Sequence, residues 1–361
     1  MGSSRAVFVP SLESLRGLAA LAVCLFHACA IRLPSEPDAV LVANGNPVRA
    51  LFNGHGAVIL FFVLSGYVLR LALERRSALP AGPLSLHFLT ARVFRIFPVA
   101  VATIALYSLA IWSIDGTRMP LSRVILNALL IQCDLLGHFW TMQTELAGSA
   151  LVLAAYLVER KLGIRPVLLL TMLLLPLSFL GRAGQVTEHF HPGMLYTFMA
   201  GYLLARLPAD HDRAAGQAAL ILVAAAVAFC ALRVHGQVFS QWRLLATVIC
   251  SAVMIHVLSG TPGRIWLQWW PVRGLGTVSY SFYAMHGFGL DLAQRMAGPI
   301  ERLLGYRPLV IAALLLLAAG TSVVFAVASY RMIETPGMRL GRTISQRLLG
   351  GRRTLRAHVQ T

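Results

Sequence analysis

The sequence predicts an all-α integral membrane protein: a bundle of about ten transmembrane helices, with N- and C-termini cytoplasmic. Three observations predict it. Of the 361 residues, 57% are hydrophobic and only 12% charged, with a mean hydropathy of +0.71; a soluble domain has about 45–50% apolar and about 25% charged residues. The apolar residues come in continuous runs, such as PVLLLTMLLLPLSFL (166–180) and LVIAALLLLAAG (309–320), where a β-barrel would show alternating segments of about ten residues. Finally, the net charge of +17 is spread over short loops. With the N-terminus inside, the inner segments hold about twice the basic residues of the outer ones, and seven of those lie between Arg331 and Arg356.

At about 20 residues per span, the spans fall near 14–33, 54–73, 97–114, 140–159, 166–180, 193–207, 216–234, 242–259, 276–294 and 308–330. Residues 123–137 (RVILNALLIQCDLLG) are apolar enough to suggest an eleventh, but they carry Asn127, Gln132 and Asp134. An extra span would also put the seven tail arginines outside. The segment is read as an interfacial or re-entrant helix on the outer side. Ala28-Cys29-Ala30 has the small residues of a signal cleavage site, but the stretch before it is long and carries Glu13, so it is read as the first span. Residues 1–340 are expected to form one transmembrane domain and 341–361 a basic cytoplasmic tail, either lying on anionic lipid or acting only as topogenic charge. The five cysteines (Cys24, Cys29, Cys133, Cys230, Cys250) have no CxxC spacing and an odd count, which predicts neither a disulfide framework nor a zinc site.

Ionisable side chains inside spans are costly and mark candidate functional sites. The first span carries two, Arg16 and His27. Eleven residues of helix bring them within about 20° of one stripe, about 16 Å apart along the axis, with Arg16 towards the inner end. The second span contributes FFVLSG, where Gly66 permits close packing and Ser65 offers a hydroxyl. Arg92 and Arg95 lie one turn apart just before Pro98, which is expected to open the third span. Two arginines so placed suit a phosphate clamp, or else topogenic charge. Glu145, about five residues into the fourth span, needs a partner. In the ninth, Ser279, Tyr280, Tyr283 and His286 form a polar seam, and Glu334 follows the tenth, where Arg331 is a possible i,i+3 partner. Glu188, His189 and His191 form a loop cluster with no evident fourth ligand, so no metal is expected.

Taken together, and in order, these motifs resemble membrane-bound acyltransferase family 3, whose members modify O-antigens, exopolysaccharides, nodulation factors and macrolides. The similarity runs from about residue 10 to 340. It rests on Arg16 and His27 with ten residues between, then F-F-x-x-S-G (Phe61, Phe62, Ser65, Gly66), then R-x-x-R-x-x-P (Arg92, Arg95, Pro98). W-T-x-x-x-E (Trp140, Thr141, Glu145), S-Y-x-x-Y-x-x-H (Ser279, Tyr280, Tyr283, His286) and E-x-P (Glu334, Pro336) follow. The chain departs from the family pattern after Glu145, where Leu146-Ala147-Gly148-Ser149 replaces bulkier residues.

The resemblance implies a bacterial cytoplasmic-membrane O-acyltransferase, most often an O-acetyltransferase. Cytoplasmic acyl-CoA would be the donor substrate, with no permanently bound cofactor. The acceptor would be a hydroxyl on a glycan or lipid-linked sugar of exopolysaccharide or lipopolysaccharide. Within such a reaction the residues suggest His27 as general base, Glu145 orienting it by the logic of a triad, and Arg16, Ser65 or Tyr283 stabilising the oxyanion; a covalent acyl-histidine or acyl-serine relay is the alternative. Arg92, Arg95, Ser65, Tyr283 and His286 are expected to bind the donor. The expected partners are acyl-CoA, the acceptor and membrane lipids, with no nucleic acid. The rival reading is a polytopic exporter of a glycan or lipid intermediate, which predicts paired repeats with broken helices; none is visible.

Overall fold

A computed structural model describes residues 10–43, 46–179, 192–210, 213–234, 241–260, 267 and 269–358. The elements run α1 (Pro10–Ala28), β1 (Arg32–Leu33), β2 (Glu36–Val40), α2 (Pro47–Leu51), α3 (Gly54–Glu74), α4 (Ala81–Asp115), α5 (Leu121–Ala128), α6 (Trp140–Leu162) and α7 (Arg165–Leu177). Next come α8 (Leu195–Leu204), α9 (Ala215–Val234), α10 (Gln241–Gly260), α11 (Trp270–Thr277), α12 (Ser279–Leu304), α13 (Arg307–Ser329), a five-residue π-turn (Tyr330–Glu334) and α14 (Thr335–His358). A helix therefore lies at each of the ten expected spans, and the protein is an all-α membrane protein. Among the described residues, seven helices are long and apolar enough to cross a bilayer. The other three fall short for different reasons. Helices α7 and α8 have 13 and 10 residues, about 20 and 15 Å. Helix α12 is long enough at 26 residues, but from its midpoint on it carries Asp291, Arg295, Glu301 and Arg302.

The chain divides into two compact units. One comprises 7–67 and 197–328. In it, α1 packs on α10, α11 and α12. The crossing with α11 is tight: a Cβ on Gly17 would lie 2.5 Å from Gly276 N. The first span ends earlier than expected. Helix α1 stops at Ala28, and the antiparallel β1–β2 hairpin follows. Ile31, Leu33, Leu41 and Val42 from the hairpin region form one core with Ala293 and Ala297 of α12 and Leu314 and Ala318 of α13. Arg32 and Gln294 exchange two hydrogen bonds of 3.0 Å, and Arg307 pairs with Glu36, which holds the Glu36 carboxyl below the usual carboxylate range. Gly66 of the F-F-x-x-S-G motif abuts the backbone of Phe198 on α8, and Gly201 of α8 abuts Val63. Small residues at both positions let the two backbones touch.

The other unit comprises 68–196 and 329–361. Its centre is α4, 35 residues and about 52 Å long, against which α5, α6, the π-turn and α14 pack. Pro98 was expected to open this helix; it lies inside it, 17 residues after the start. Proline removes the bond from its own nitrogen to the carbonyl four residues back and crowds that carbonyl, here that of Phe94. Gly337 of α14 packs on that carbonyl and on the Pro98 ring, and Gly341, one turn on, packs on Phe94. The last helix thus runs unbroken across residue 340, where the sequence placed a boundary. Arg70 and Glu159 form a two-pronged ion pair, 2.6 and 3.3 Å.

Residues 123–137 are no span. Helix α5 stops at Ala128, and Leu130 takes a left-handed φ of 58°. Asn127, fully buried, donates to Asp134 at 2.6 Å and accepts from Leu135 N at 3.1 Å. Arg123 also bonds Asp134 at 2.6 Å. These two donors hold the Asp134 carboxyl below the usual range, Asn127 contributing most. Two of the polar residues that argued against a span, Asn127 and Asp134, are those that fold the segment back on itself.

Candidate active site

The sequence-predicted residues fall into two clusters, one in each unit. The first is built on α1, α3 and α12. Arg16 and His27 share α1, and unbroken helix between them keeps both on one face. His27 sits in the last turn of α1, closer to the helix end than expected. His286 lies in the second turn of α12 and is only 1% exposed. His27 Nδ1 is 3.2 Å from His286 Nε2, and the rings stack at 5.3 Å with 17° between planes. His286 Nδ1 is in turn 2.6 Å from the Tyr283 carbonyl oxygen. The Tyr283 ring meets His286 at 5.5 Å and takes Phe61 of α3 edge-on at 5.9 Å. Ser65 follows Phe61 by one turn, so it lies on the same face of α3.

The structure thus joins three of the sequence motifs in this unit: the Arg16/His27 pair, F-F-x-x-S-G and S-Y-x-x-Y-x-x-H. His27 Nε2 makes no hydrogen bond among the described residues. The expectation that Glu145 orients His27 is not what is found, since the bond at His27 Nδ1 is to His286. Packing fixes this part of α12. The Ser322 hydroxyl of α13 lies 3.4 Å from the His286 carbonyl, 2.6 Å from Ala318 O and 3.7 Å from Cys24 Sγ of α1.

Sequence reasoning missed Arg49, which it counted as an ordinary outer-loop charge. Arg49 is 7% exposed. Its guanidinium sits 5.0 Å over the ring of Phe26, whose other neighbours include His27. Nη1 donates to Val42 O at 2.9 Å, and no carboxylate pairs with Arg49 among the described residues. The local signal was faint: Asn46 caps the short α2 through Val48 N at 2.8 Å, with Pro47 at its start. That predicts a helix turn but says nothing about burial.

The second cluster is built on α4, α6 and the π-turn. Arg92 and Arg95 lie mid-helix, one turn apart, and each holds a carboxylate. Arg92 Nη2 donates to Glu145 Oε1 at 2.5 Å, with both side chains at most 20% exposed. Arg95 Nη1 is 2.8 Å from Glu334 Oε1, and Glu334 is fully buried. The same nitrogen lies 3.1 Å from Met338 Sδ. Glu334 is the last residue of the π-turn, and such turns concentrate at functional sites. The Arg92 Nε is buried without an acceptor among the described residues. Trp140 and Thr141 begin α6, and the Ser149 hydroxyl returns to the Glu145 carbonyl at 2.7 Å. Gly148 and Ser149, where the family pattern is bulkier, are buried here. Glu188, His189 and His191 lie outside the described residues.

A family model described as an acyltransferase domain matches residues 9–330. The chain belongs to acyltransferase family 3. The match spans both clusters except Glu334 and α14, and with the apolar helices it makes the protein a multi-pass membrane acyltransferase. No curated protein and no solved structure matches the chain.

Proposed function

We propose that this family 3 protein is an O-acyltransferase of the bacterial cytoplasmic membrane. It moves an acyl group, acetyl in the first instance, from cytoplasmic acyl-CoA to a sugar hydroxyl of an exported or surface glycan. The observation that carries the reading is His27, an imidazole bonded at Nδ1 to a buried histidine and unbonded at Nε2 among the described residues, in a chain of an acyl-transferring family. His27 Nε2 takes the proton of the acceptor hydroxyl as that oxygen attacks the thioester carbon; a neutral imidazole suits this near pH 7. The tetrahedral intermediate carries its charge on the former carbonyl oxygen, which Arg16, Ser65 or Tyr283 stabilises. The carbon–sulfur bond then breaks, and the proton on His27 passes to the departing CoA sulfur.

Arg92 and Arg95 are proposed to meet the CoA phosphates. Each uses one arm on a carboxylate, and a guanidinium has five N–H donors. Because Glu145 and Glu334 already balance both charges, the phosphates are held by oriented hydrogen bonds more than by free positive charge. The acceptor is read as a component of exopolysaccharide or lipopolysaccharide.

The test is the acetyl content of the host's surface and secreted glycans by proton NMR, in a deletion strain complemented with wild type or with His27→Ala. The expected result is loss of one O-acetyl signal, restored by wild type alone. Full restoration by His27→Ala would remove His27 from the reaction. A fall in glycan yield with unchanged acetylation per sugar would overturn the enzyme reading in favour of export.

A further inference from the structure

We infer that His286 is the positioning residue that sets the tautomer of His27, so that His27 Nε2, and not Nδ1, is the basic nitrogen. The inference rests on the reading of His27 as the base. It follows from a proton inventory along three groups. The Tyr283 carbonyl only accepts, so His286 Nδ1, 2.6 Å away, carries a proton. A neutral imidazole has one N–H and one lone pair, so His286 Nε2 presents a lone pair. Facing it at 3.2 Å is His27 Nδ1, which must donate. Neutral His27 then has its lone pair on Nε2, the nitrogen that makes no bond among the described residues. With the opposite tautomer, His27 would present an N–H to the acceptor hydroxyl and could not take its proton.

The inventory depends on ring poses, and these are held from several sides. His286 is 1% exposed, stacks on His27 and meets the Tyr283 ring. Its backbone carbonyl meets the Ser322 hydroxyl, and Gly289, three residues on, lies against Ser322 and the Ala318 carbonyl of α13. Helix α12 is thereby pressed to α13 where it carries His286. A side chain that selects the tautomer of a catalytic histidine usually does so through such an outer hydrogen bond. Here the outer group is neutral. It orients His27 without supplying negative charge, unlike the aspartate of a serine-protease triad.

During transfer the bond between the two histidines changes character. When His27 Nε2 takes the hydroxyl proton, His27 becomes an imidazolium, and its Nδ1–H bond to His286 Nε2 becomes charge-assisted and stronger. His286 keeps its own proton on Nδ1, donated to the Tyr283 carbonyl, throughout. When His27 Nε2 releases its proton to the CoA sulfur, the starting tautomers return, and no other proton moves.

The test uses the full chain in lipid nanodiscs, with acetyl-CoA as donor and the host's purified surface glycan as acceptor. His286→Phe keeps a ring but no acceptor for His27. His286→Gln places a side-chain oxygen near the former Nε2. Loss of an outer-shell partner commonly costs about 10- to 100-fold. His286→Phe is therefore expected to lower kcat by about that factor while KM for acetyl-CoA stays within about twofold, and His286→Gln to recover most of the loss. If both variants raise KM and leave kcat unchanged, His286 binds donor and the inference falls.

A second readout needs no turnover. Nitrogen-15 NMR of histidine-labelled protein, with the His27 signals identified by their loss in His27→Gln, reports which nitrogen carries the proton. The expected pattern is a protonated Nδ1 in wild type, lost in His286→Phe and kept in His286→Gln. A wild-type His27 protonated at Nε2 overturns the inference even if the protein acetylates glycan. A protonated Nδ1 in a chain that transfers no acyl group leaves the tautomer assignment standing and removes the reaction. Should His286→Phe fail to fold, wild type and His286→Gln still decide the matter.

Discussion

Removing Arg95 should cost more stability than neutralising its partner. The pair is asymmetric: Glu334 is completely buried, whereas the Arg95 side chain is 22% exposed, with 2.8 Å between them. Arg95→Ala removes the arginine that pairs with this buried carboxylate, and breaking a buried ion pair from one side typically costs about 3–5 kcal/mol. Glu334→Gln keeps shape and an acceptor oxygen, and the arginine left behind reaches solvent; the cost is then about 1–3 kcal/mol, that of a weakened bond to a charged group. The double variant Arg95→Met/Glu334→Leu removes both charges and should lie close to wild type, since apolar groups of matched volume replace such pairs at little cost. The assay is thermal unfolding of the purified full chain in one detergent, read as the fraction remaining monodisperse after heating. Arg95→Ala as stable as Glu334→Gln would refute the reasoning, because losing the partner of the buried carboxylate would then cost no more than neutralising that carboxylate. The double variant also separates two roles of Arg95. If it is stable but transfers no acyl group, the guanidinium serves the reaction as well as the ion pair.

Three further predictions follow from the packing and the loop. Gly341→Ala places a methyl 2.6 Å from Phe94 Cβ and should destabilise by about 1–3 kcal/mol. Gly320→Ala, in α13 with nothing within 4 Å, should stabilise by up to about 1 kcal/mol; the same heating assay compares the two. Asp134 has a lowered pKa in the fold, so its contribution is present above its unfolded pKa of about 3.9 and disappears as pH falls through the still lower folded value. Stability measured from pH 6 to pH 3 should therefore drop less steeply at the acid end in Asp134→Asn than in wild type. Arg49→Ala removes the bond to Val42 O and the stack on Phe26; it should expose the segment after β2 to limited proteolysis and lower turnover, and Arg49→Lys, which cannot stack as a plane, should restore neither fully.

The helices were legible in the sequence because their signal is local: uninterrupted apolar length and the spacing of Arg16 and His27 need no knowledge of neighbours. Boundaries failed where a local rule was overridden from a distance. Pro98 reads as a helix start, but the carbonyl it frees is covered by Gly337, 239 residues later in the chain. The residues of the site were legible as types, through the cost of ionisable groups in apolar runs and the order of the motifs. Their partners were not, because periodicity assigns a residue to a face and says nothing of what the face meets. Glu145 was matched with His27 by analogy with a triad, whereas the fold gives Glu145 to Arg92 and His286 to His27. That exchange changes the chemistry. On the reading of His27 as the base, a histidine behind it in place of a carboxylate orients the ring without adding negative charge before the acceptor proton is taken. Likewise, arginines read as a free phosphate clamp prove to be held by carboxylates. Any polyanion that binds them has to be recognised by the geometry of the remaining N–H groups, and Arg92→Lys, which keeps the charge and loses the fork, should then weaken donor binding nearly as much as Arg92→Ala, measured as KM for acetyl-CoA.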